Sequence, residues 1–265
     1  MGESKDLLKV LDVHKVVLGP DHPDTLSSMA NLAVTYTDQG KYEEAEEMQL
    51  KVLNLHKRVL GPEHPHTLNS MANLAVTYSK QGKYEEAGEL KLKVLNLYKR
   101  VLGQDHPATL TSMANLAVTY LDQGKYEEAG QLQLKVQYFH KTVLGPEHPD
   151  TLTSMANLAV TYSCQGKDEE ARELMLKVLD VRKRVLGPEH PQTLSSMNNL
   201  ASTYSNQGKY EEAEELELKV LDVHKRVLGP EHPHTLNSMM NLARSYSAQE
   251  KYEEAEKLQM EIQAI

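Results

Sequence analysis

The sequence predicts an all-α protein made of stacked antiparallel helix pairs, and three observations carry that prediction. First, Pro23, Pro65, Pro107, Pro149, Pro191 and Pro233 are spaced by 42 residues. The remaining five prolines, Pro20, Pro62, Pro146, Pro188 and Pro230, keep the same period, with Gln104 in the sixth place. Second, the tyrosines recur in two registers, Tyr36, Tyr78, Tyr120, Tyr162, Tyr204 and Tyr246 in one, and Tyr42, Tyr84, Tyr126, Tyr210 and Tyr252 in the other, where Asp168 is the exception. Third, the proline-free stretches between carry apolar residues at helical spacing. A fixed period of this length marks a tandem array, and it outranks any domain count taken from length alone. Residues 19–60 and 61–102 differ at nine of 42 positions.

The elements follow in order. An extra helix at about 5–18 comes first, because Leu8–Lys15 matches Leu218–Lys225. Units then run over 19–60, 61–102, 103–144, 145–186, 187–228 and 229–265, so that 1–265 reads as a single solenoid. Within a unit, helix A opens at Pro23, where a missing N–H costs nothing. Asp24 complements the positive helix start. Leu26, Met29, Leu32, Ala33 and Tyr36 form its apolar stripe. Gly40 supplies the left-handed residue that ends it. Helix B spans about Tyr42–Leu60, with Ala45, Met48, Val52, Leu55 and Val59 on one stripe and Leu50, Leu53 and Leu60 widening it. A stripe that wide predicts burial on more than one side. Glu43 and Glu44 at its start and Lys57 and Arg58 at its end suit the dipole. Glu47 and Lys51 form an i,i+4 pair worth ~0.3 kcal/mol, so the glutamate-rich run reads as a solvated outer face. Gly61 and Pro62 stop the helix.

Ala33 and Ala45 are small where the two helices approach to ~8–10 Å. The array starts half a unit in and stops before its last helix B reaches full length, so a piece of a larger chain with sticky ends is expected. Leu7, Leu8 and Leu11 at one end and Leu258, Met260 and Ile262 at the other are the candidates for weak self-association.

Composition narrows the function. Lys plus Arg is 29 and Asp plus Glu is 38, a net charge of −9, which argues against binding a phosphate backbone. No apolar run is long enough to span a membrane. The one cysteine, Cys164, excludes an internal disulfide and multi-cysteine metal sites, and a reducing, cytoplasmic setting is expected. Six of the histidines, His22, His64, His106, His148, His190 and His232, also recur every 42 residues. Neighbours in that series sit roughly a helix spacing apart, ~10 Å, too far to converge on zinc. They read as capping helix A or ordering its loop, while Glu63, His64 and His66 leave open a weak adventitious metal contact. No catalytic residue, metal site or cofactor is expected, and the chain is read as a non-enzyme. Both tyrosine series read as packing residues.

Asn31-Leu32-Ala33, Tyr36, Gly40-Lys41-Tyr42 and Ala45 resemble the tetratricopeptide (TPR) signature. The long helix B followed by Leu60-Gly-Pro-Glu-His-Pro65 is similar to the 42-residue TPR type of kinesin light chains, nephrocystin-like proteins and the sensor arrays of signal-transducing NTPases. Met29, Met71 and Met113 stand where TPRs often carry an aromatic, and Gln49 where a large side chain is common. The resemblance implies a right-handed α-solenoid whose concave face is lined by helix A, and a protein or extended peptide as partner. On that face lies an asparagine ladder, Asn31, Asn73, Asn115, Asn157, Asn199 and Asn241, whose amides could grip a peptide backbone or could instead bridge helices. Val34, Val76, Val118 and Val160 form a shallow apolar stripe, which Ser202 and Arg244 break; Lys80 stands near the end of its helix A. The lysines and arginines of carboxylate-clamp TPRs have no counterparts. Two functions result: a peptide-binding module belonging to a larger signalling or adaptor protein, or a structural spacer or self-assembling array, which a consensus-engineered origin would also fit.

Overall fold

The computed structural model describes the backbone of residues 2–264 and the side chains of residues 4–264. Its regular elements, among the described residues, are thirteen α-helices and no strands. The chain divides into two compact units, Met1–Leu132 and Gln133–Ile265.

In the first unit, α1 (Gly2–Val17), α2 (Pro23–Asp38), α3 (Tyr42–Val59), α4 (Pro65–Lys80), α5 (Tyr84–Val101) and α6 (Pro107–Asp122) pack in chain order. In the second, α8 (Pro149–Cys164), α9 (Asp168–Leu186), α10 (Pro191–Asn206), α11 (Tyr210–Leu228), α12 (Pro233–Ala248) and α13 (Tyr252–Gln263) do the same. Helix α7 (Tyr126–Val143) carries the boundary. The even-numbered helices α2 to α12 are the predicted A helices, and α1 is the predicted extra helix.

Each A helix begins as the histidine periodicity suggests. The Nδ1 of His22, His64, His106, His148, His190 and His232 accepts a hydrogen bond from the backbone N–H two residues on, at 3.1–3.2 Å. That satisfies one of the orphan donors of the first turn. His64 is therefore engaged in its own cap, and the Glu63 carboxylate pairs with Arg100. No group of three or more metal-binding side chains converges among the described residues. A buried threonine follows in each A helix: Thr25 donates to the Gly19 carbonyl at 2.7 Å, and Thr67, Thr109, Thr151, Thr193 and Thr235 repeat the bond. This lock ties the helix start to the glycine that ended the previous helix.

Helix A ends in a left-handed residue, Gly40 at φ 76°, and the Lys41 N–H returns to the Tyr36 carbonyl at 2.8 Å, a Schellman closure. At the last repeat the same position is Glu250, held at φ 60°. The lysine after the turn lies over the tyrosine ring, Lys41 Nζ being 5.1 Å from the Tyr36 centroid, a cation–π contact.

The cores alternate along each unit. Leu26, Met29, Leu32 and Val52 pack with Leu11 in one cluster, and Leu53, Leu68, Met71, Leu74 and Val94 in the next. Leu152, Met175, Val178, Leu194, Met197 and Val220 belong to a larger one in the second unit. Ala33, Ala45 and their repeats are fully buried.

Three expectations about apolar residues need correction. Val59 is 63% exposed, and Leu50 and Leu60 also face solvent, because α3 rotates them out of both helix interfaces while burying Gln49 instead. Leu11 is wholly buried by α2 rather than sticky. Leu258 and Ile262 pack on the Leu221–Met239–Leu242 cluster, which leaves Met260 as the exposed one of the three.

Adjacent pairs are stitched by polar contacts that repeat with the sequence. Arg58 pairs with Asp21 at 2.9 Å, Arg226 with Glu189 at 2.5 Å, and Arg100 with Glu63 and Arg184 with Glu147 likewise. Gln123 donates from Nε2 to the Tyr84 carbonyl at 2.6 Å, and Gln207 to that of Asp168 at 3.0 Å. Gln81 and Lys83 both donate to the Glu46 carboxylate, at 2.9 and 2.8 Å. Burial pulls the Glu46 pKa up, but these two donors more than offset it and hold the carboxyl below its ordinary value.

Candidate peptide-binding surface

Within each unit, the A helices present a row of side chains that the core does not use. Residues Leu32 and Ala33 of α2 are buried, whereas Asn31 and Val34, on either side of them, face outward. The same alternation repeats in every A helix. Asn31 and Asn115 are exposed, and Asn73, Asn157, Asn199 and Asn241 are half-buried. None of the six amide side chains hydrogen-bonds to another described residue; the neighbouring threonines use only the asparagine backbone carbonyls, as Thr35 does with Asn31 at 3.2 Å. Their donors and acceptors are therefore open to a ligand. Val34, Val76, Val118 and Val160 are 39–48% exposed. Lys80 and Arg244 are exposed as well, with no carboxylate within ion-pair distance among the described residues.

In each unit a cleft opens on its A-helix face. Between α4, α5 and α6 lies a cleft of about 320 Å³ lined by Ala72, Val76, Lys91, Val94, Tyr98 and Asn115. Between α10, α11 and α12 lies one of about 350 Å³ lined by Asn199, Ser202, Asn206, Glu217, Asn241 and Arg244. Predicted ladder residues from two units of the repeat thus meet at the second cleft, Asn199 with Asn241 and Arg244. In the first, Val76 meets Asn115.

The floors of these clefts come from helix B, at a position that periodicity did not mark as functional. It runs Gln49, Lys91, Gln133, Met175, Glu217, Gln259. Gln49, Gln133, Met175 and Glu217 are buried. Lys91 reaches Thr119 Oγ1 at 2.5 Å and Ser79 Oγ at 3.5 Å. Burial pushes its ammonium pKa down, against a smaller opposite pull from Asp122. The signal that finds this position is its variability: at a site where packing would ask for one apolar residue, the repeats carry an amide, a cation, a thioether or an anion.

Nothing in this arrangement resembles a nucleophile with its base. Cys164 is exposed at the end of α8, and desolvation raises rather than lowers its thiol pKa, the reverse of what a reactive thiolate needs.

Tetratricopeptide repeat models match residues 5–55, 27–90 and 73–136, and then 151–192, 193–234 and 235–262. The chain belongs to the tetratricopeptide repeat family, whose fold is in general a protein-interaction module and a non-enzymatic scaffold. Within that family it is similar to a kinesin light chain-type protein with nearly identical TPR-like repeats from Podosopora anserina, at 36% identity over 76% of this chain and 96% of that one, with a TM-score of 0.64. Its fold is also similar to that of BtubC from P. vanneervenii, at 18% identity, over 84% of this chain and 90% of that chain, TM-score 0.66. A signal transduction ATPase with a tetratricopeptide repeat sensor from Pyrococcus horikoshii matches at 16% identity and a TM-score of 0.69. This chain is covered over 97% of its length there, but spans 39% of that larger protein. No curated protein matches the chain significantly. No helix among the described residues is long and apolar enough to cross a membrane.

Proposed function

We propose that the chain binds an extended peptide segment of a partner protein along the exposed face of its A helices, in a cytoplasmic setting. The single observation that carries this reading is the row of asparagine amides left without partners in both units. Amides spaced by a repeat suit a peptide backbone, which offers one donor and one acceptor per residue. Had they been bridging helices, their hydrogen bonds would be spent inside the protein. Val34, Val76, Val118 and Val160 add apolar contact, and Lys80 and Arg244 add local charge selection. A single-chain array over 1–265 as part of a signalling or adaptor protein fits this reading, in which binding here is sensed by a neighbouring domain.

The test uses the full chain. Peptides are selected from a random twelve-residue display library, and their affinity is compared for the parent chain and for the double variants Asn73→Ala/Asn115→Ala and Asn199→Ala/Asn241→Ala. The expected outcome is at least a tenfold loss of affinity in one or both double variants at unchanged melting temperature. Undiminished affinity in both, or a large fall in melting temperature, returns the asparagines to a purely structural role.

A further inference from the structure

Resting on the peptide-binding reading, we propose that the cleft between α10, α11 and α12 is a specificity pocket for a basic side chain, lysine or arginine, of the bound peptide, with the Glu217 carboxylate at its floor as the counter-ion.

Glu217 has no cation within ion-pair distance among the described residues. Its side chain is 6% exposed; Ser245 hydrogen-bonds to the carboxyl, but Oε2 is buried without a hydrogen-bond partner among the described residues. A buried carboxylate oxygen ordinarily finds a donor, because leaving it unpaired forfeits its hydration. Here the nearest cation, Arg244, makes no ion pair with it at 4.0 Å or less. The carboxyl faces a cleft of about 350 Å³ rather than a sealed core, and a space of that size admits an alkyl-ammonium or a guanidinium. The walls supply the rest of what such a group needs. Asn199, Asn206 and Asn241 offer carbonyl oxygens, and Ser202 a hydroxyl, all of them acceptors for N–H donors. Arg244 remains at the rim, where it can meet a carbonyl of the peptide backbone.

The repeat provides an internal control. Positions equivalent to Glu217 are Gln49, Lys91, Gln133 and Met175. Where the residue is Lys91, the ammonium is satisfied by Thr119 and Ser79. Where it is Met175, it joins the apolar core. Where it is Gln49 or Gln133, buried amide atoms likewise lack partners; packing at this position therefore does not require a charge, and what sets Glu217 apart is that its unpartnered atom belongs to a carboxylate, which a cation completes better than any neutral donor. Burial raises the Glu217 pKa, which Ser245 and Arg244 oppose and Glu214 reinforces. A cation entering the cleft would favour the ionised form and so bind the more strongly in a water-poor site.

The experiment titrates the isotope-labelled full chain with three acetylated, amidated ten-residue peptides of alanine and serine, identical except for a central Lys, Gln or Glu, and follows backbone amide shifts. The Lys peptide should bind at least tenfold tighter than the Gln peptide, with shifts centred on α10–α12. Glu217→Gln, and independently Glu217→Met, which copies the buried Met175, should abolish that preference, so that the Lys and Gln peptides bind within twofold of each other. Glu217→Lys should turn the preference toward the Glu peptide. Equal affinity for Lys and Gln peptides in the parent chain, or a Lys preference that survives both neutral variants, overturns the pocket and leaves peptide binding standing. Absence of binding by all three peptides overturns the pocket and the groove reading together.

Discussion

The two clefts on the A-helix face share a scaffold and differ in chemistry. The α4–α6 cleft is walled by Ala72, Val76, Val94 and Tyr98, and its floor cation, Lys91, is hydrogen-bonded within the protein. The α10–α12 cleft is walled by asparagines and serines, and its floor anion, Glu217, draws on Ser245 but leaves its Oε2 without a partner. The helix starts around them are nevertheless the same: His106 and His190 cap alike, and Thr109 and Thr193 make the same 2.8 Å bond to a glycine carbonyl. An array of near-identical units can thus vary its exposed face through a few helix A positions, such as Val76/Ser202 and Lys80/Asn206, and one helix B position, Lys91/Glu217, while the histidine cap and the threonine lock are retained. Each repeat contacts only its neighbours, so such changes stay local.

The largest effect should come from breaking the shared scaffold. Ala117→Leu in α6 of the first unit and Ala201→Leu in α10 of the second replace buried alanines at the helix A–helix B approach. Each should cost about 1–3 kcal/mol and lower the melting temperature by about 2–4 °C per kcal/mol, measurable by calorimetry. A neutral result at either would mean that the two pairs are not packed alike.

A smaller effect separates the units at their turns. Glu250 occupies a left-handed conformation where Gly40, Gly82, Gly124, Gly166 and Gly208 stand in the other repeats. Glu250→Gly should stabilise the end of the second unit by about 1 kcal/mol, seen as slower hydrogen exchange in α12 and α13.

The floor residues should respond to pH with opposite signs. The Glu217 pKa is raised on folding, so the folded chain binds more protons there, and its ionisation penalty is present above the folded pKa and relieved as pH falls toward the ordinary value of 4.5. The Lys91 pKa is lowered on folding, so its penalty is present at neutral pH and relieved as pH rises toward 10.5. Glu217→Gln should therefore raise the melting temperature by about 2 °C at neutral pH and less in acid, and Lys91→Gln should lose its benefit in alkali instead. Matching slopes for the two variants would contradict the contrast.

The weakest effect belongs to His56, whose Nδ1 lies 2.8 Å from Ser70 Oγ. Desolvation, with the nearby His66 and His64, lowers its pKa below 6.5 against a smaller upward pull from the His66 backbone. Its stabilising contribution is complete above 6.5 and lost as pH falls through the lowered value. His56→Tyr, the residue found at Tyr98, should flatten the fall in melting temperature between about pH 7 and pH 5 by about 1 °C.

Much of this was legible in the sequence because the repeat multiplies weak signals. Helix A was expected to open at Pro23, and does; helix B was expected at about Tyr42–Leu60 and runs Tyr42–Val59. The histidine caps and glycine turns followed from spacing and backbone chemistry. Helix B was read less well. Its apolar period assigned Val59 and Leu60 to the interior, but the helix faces neighbours along only part of its length, and its last turn projects beyond them into solvent. The buried Thr25 series was missed because a hydroxyl reads as surface until its partner, the Gly19 carbonyl, is seen. The cleft floor was missed for a related reason: Gln49, Lys91 and Glu217 look like solvent-facing residues on an amphipathic helix, and only the packing of the next A helix encloses them.

Whether the asparagine ladder holds a peptide is read most directly by an NMR titration of the asparagine side-chain NH2 groups with a display-selected peptide. The pairs Asn73/Asn115 or Asn199/Asn241 should shift and slow their exchange with solvent on saturation, while Asn54 and Asn96, exposed on helix B, stay in place. Movement of Asn54 and Asn96 with the ladder amides unchanged would contradict peptide binding by the ladder.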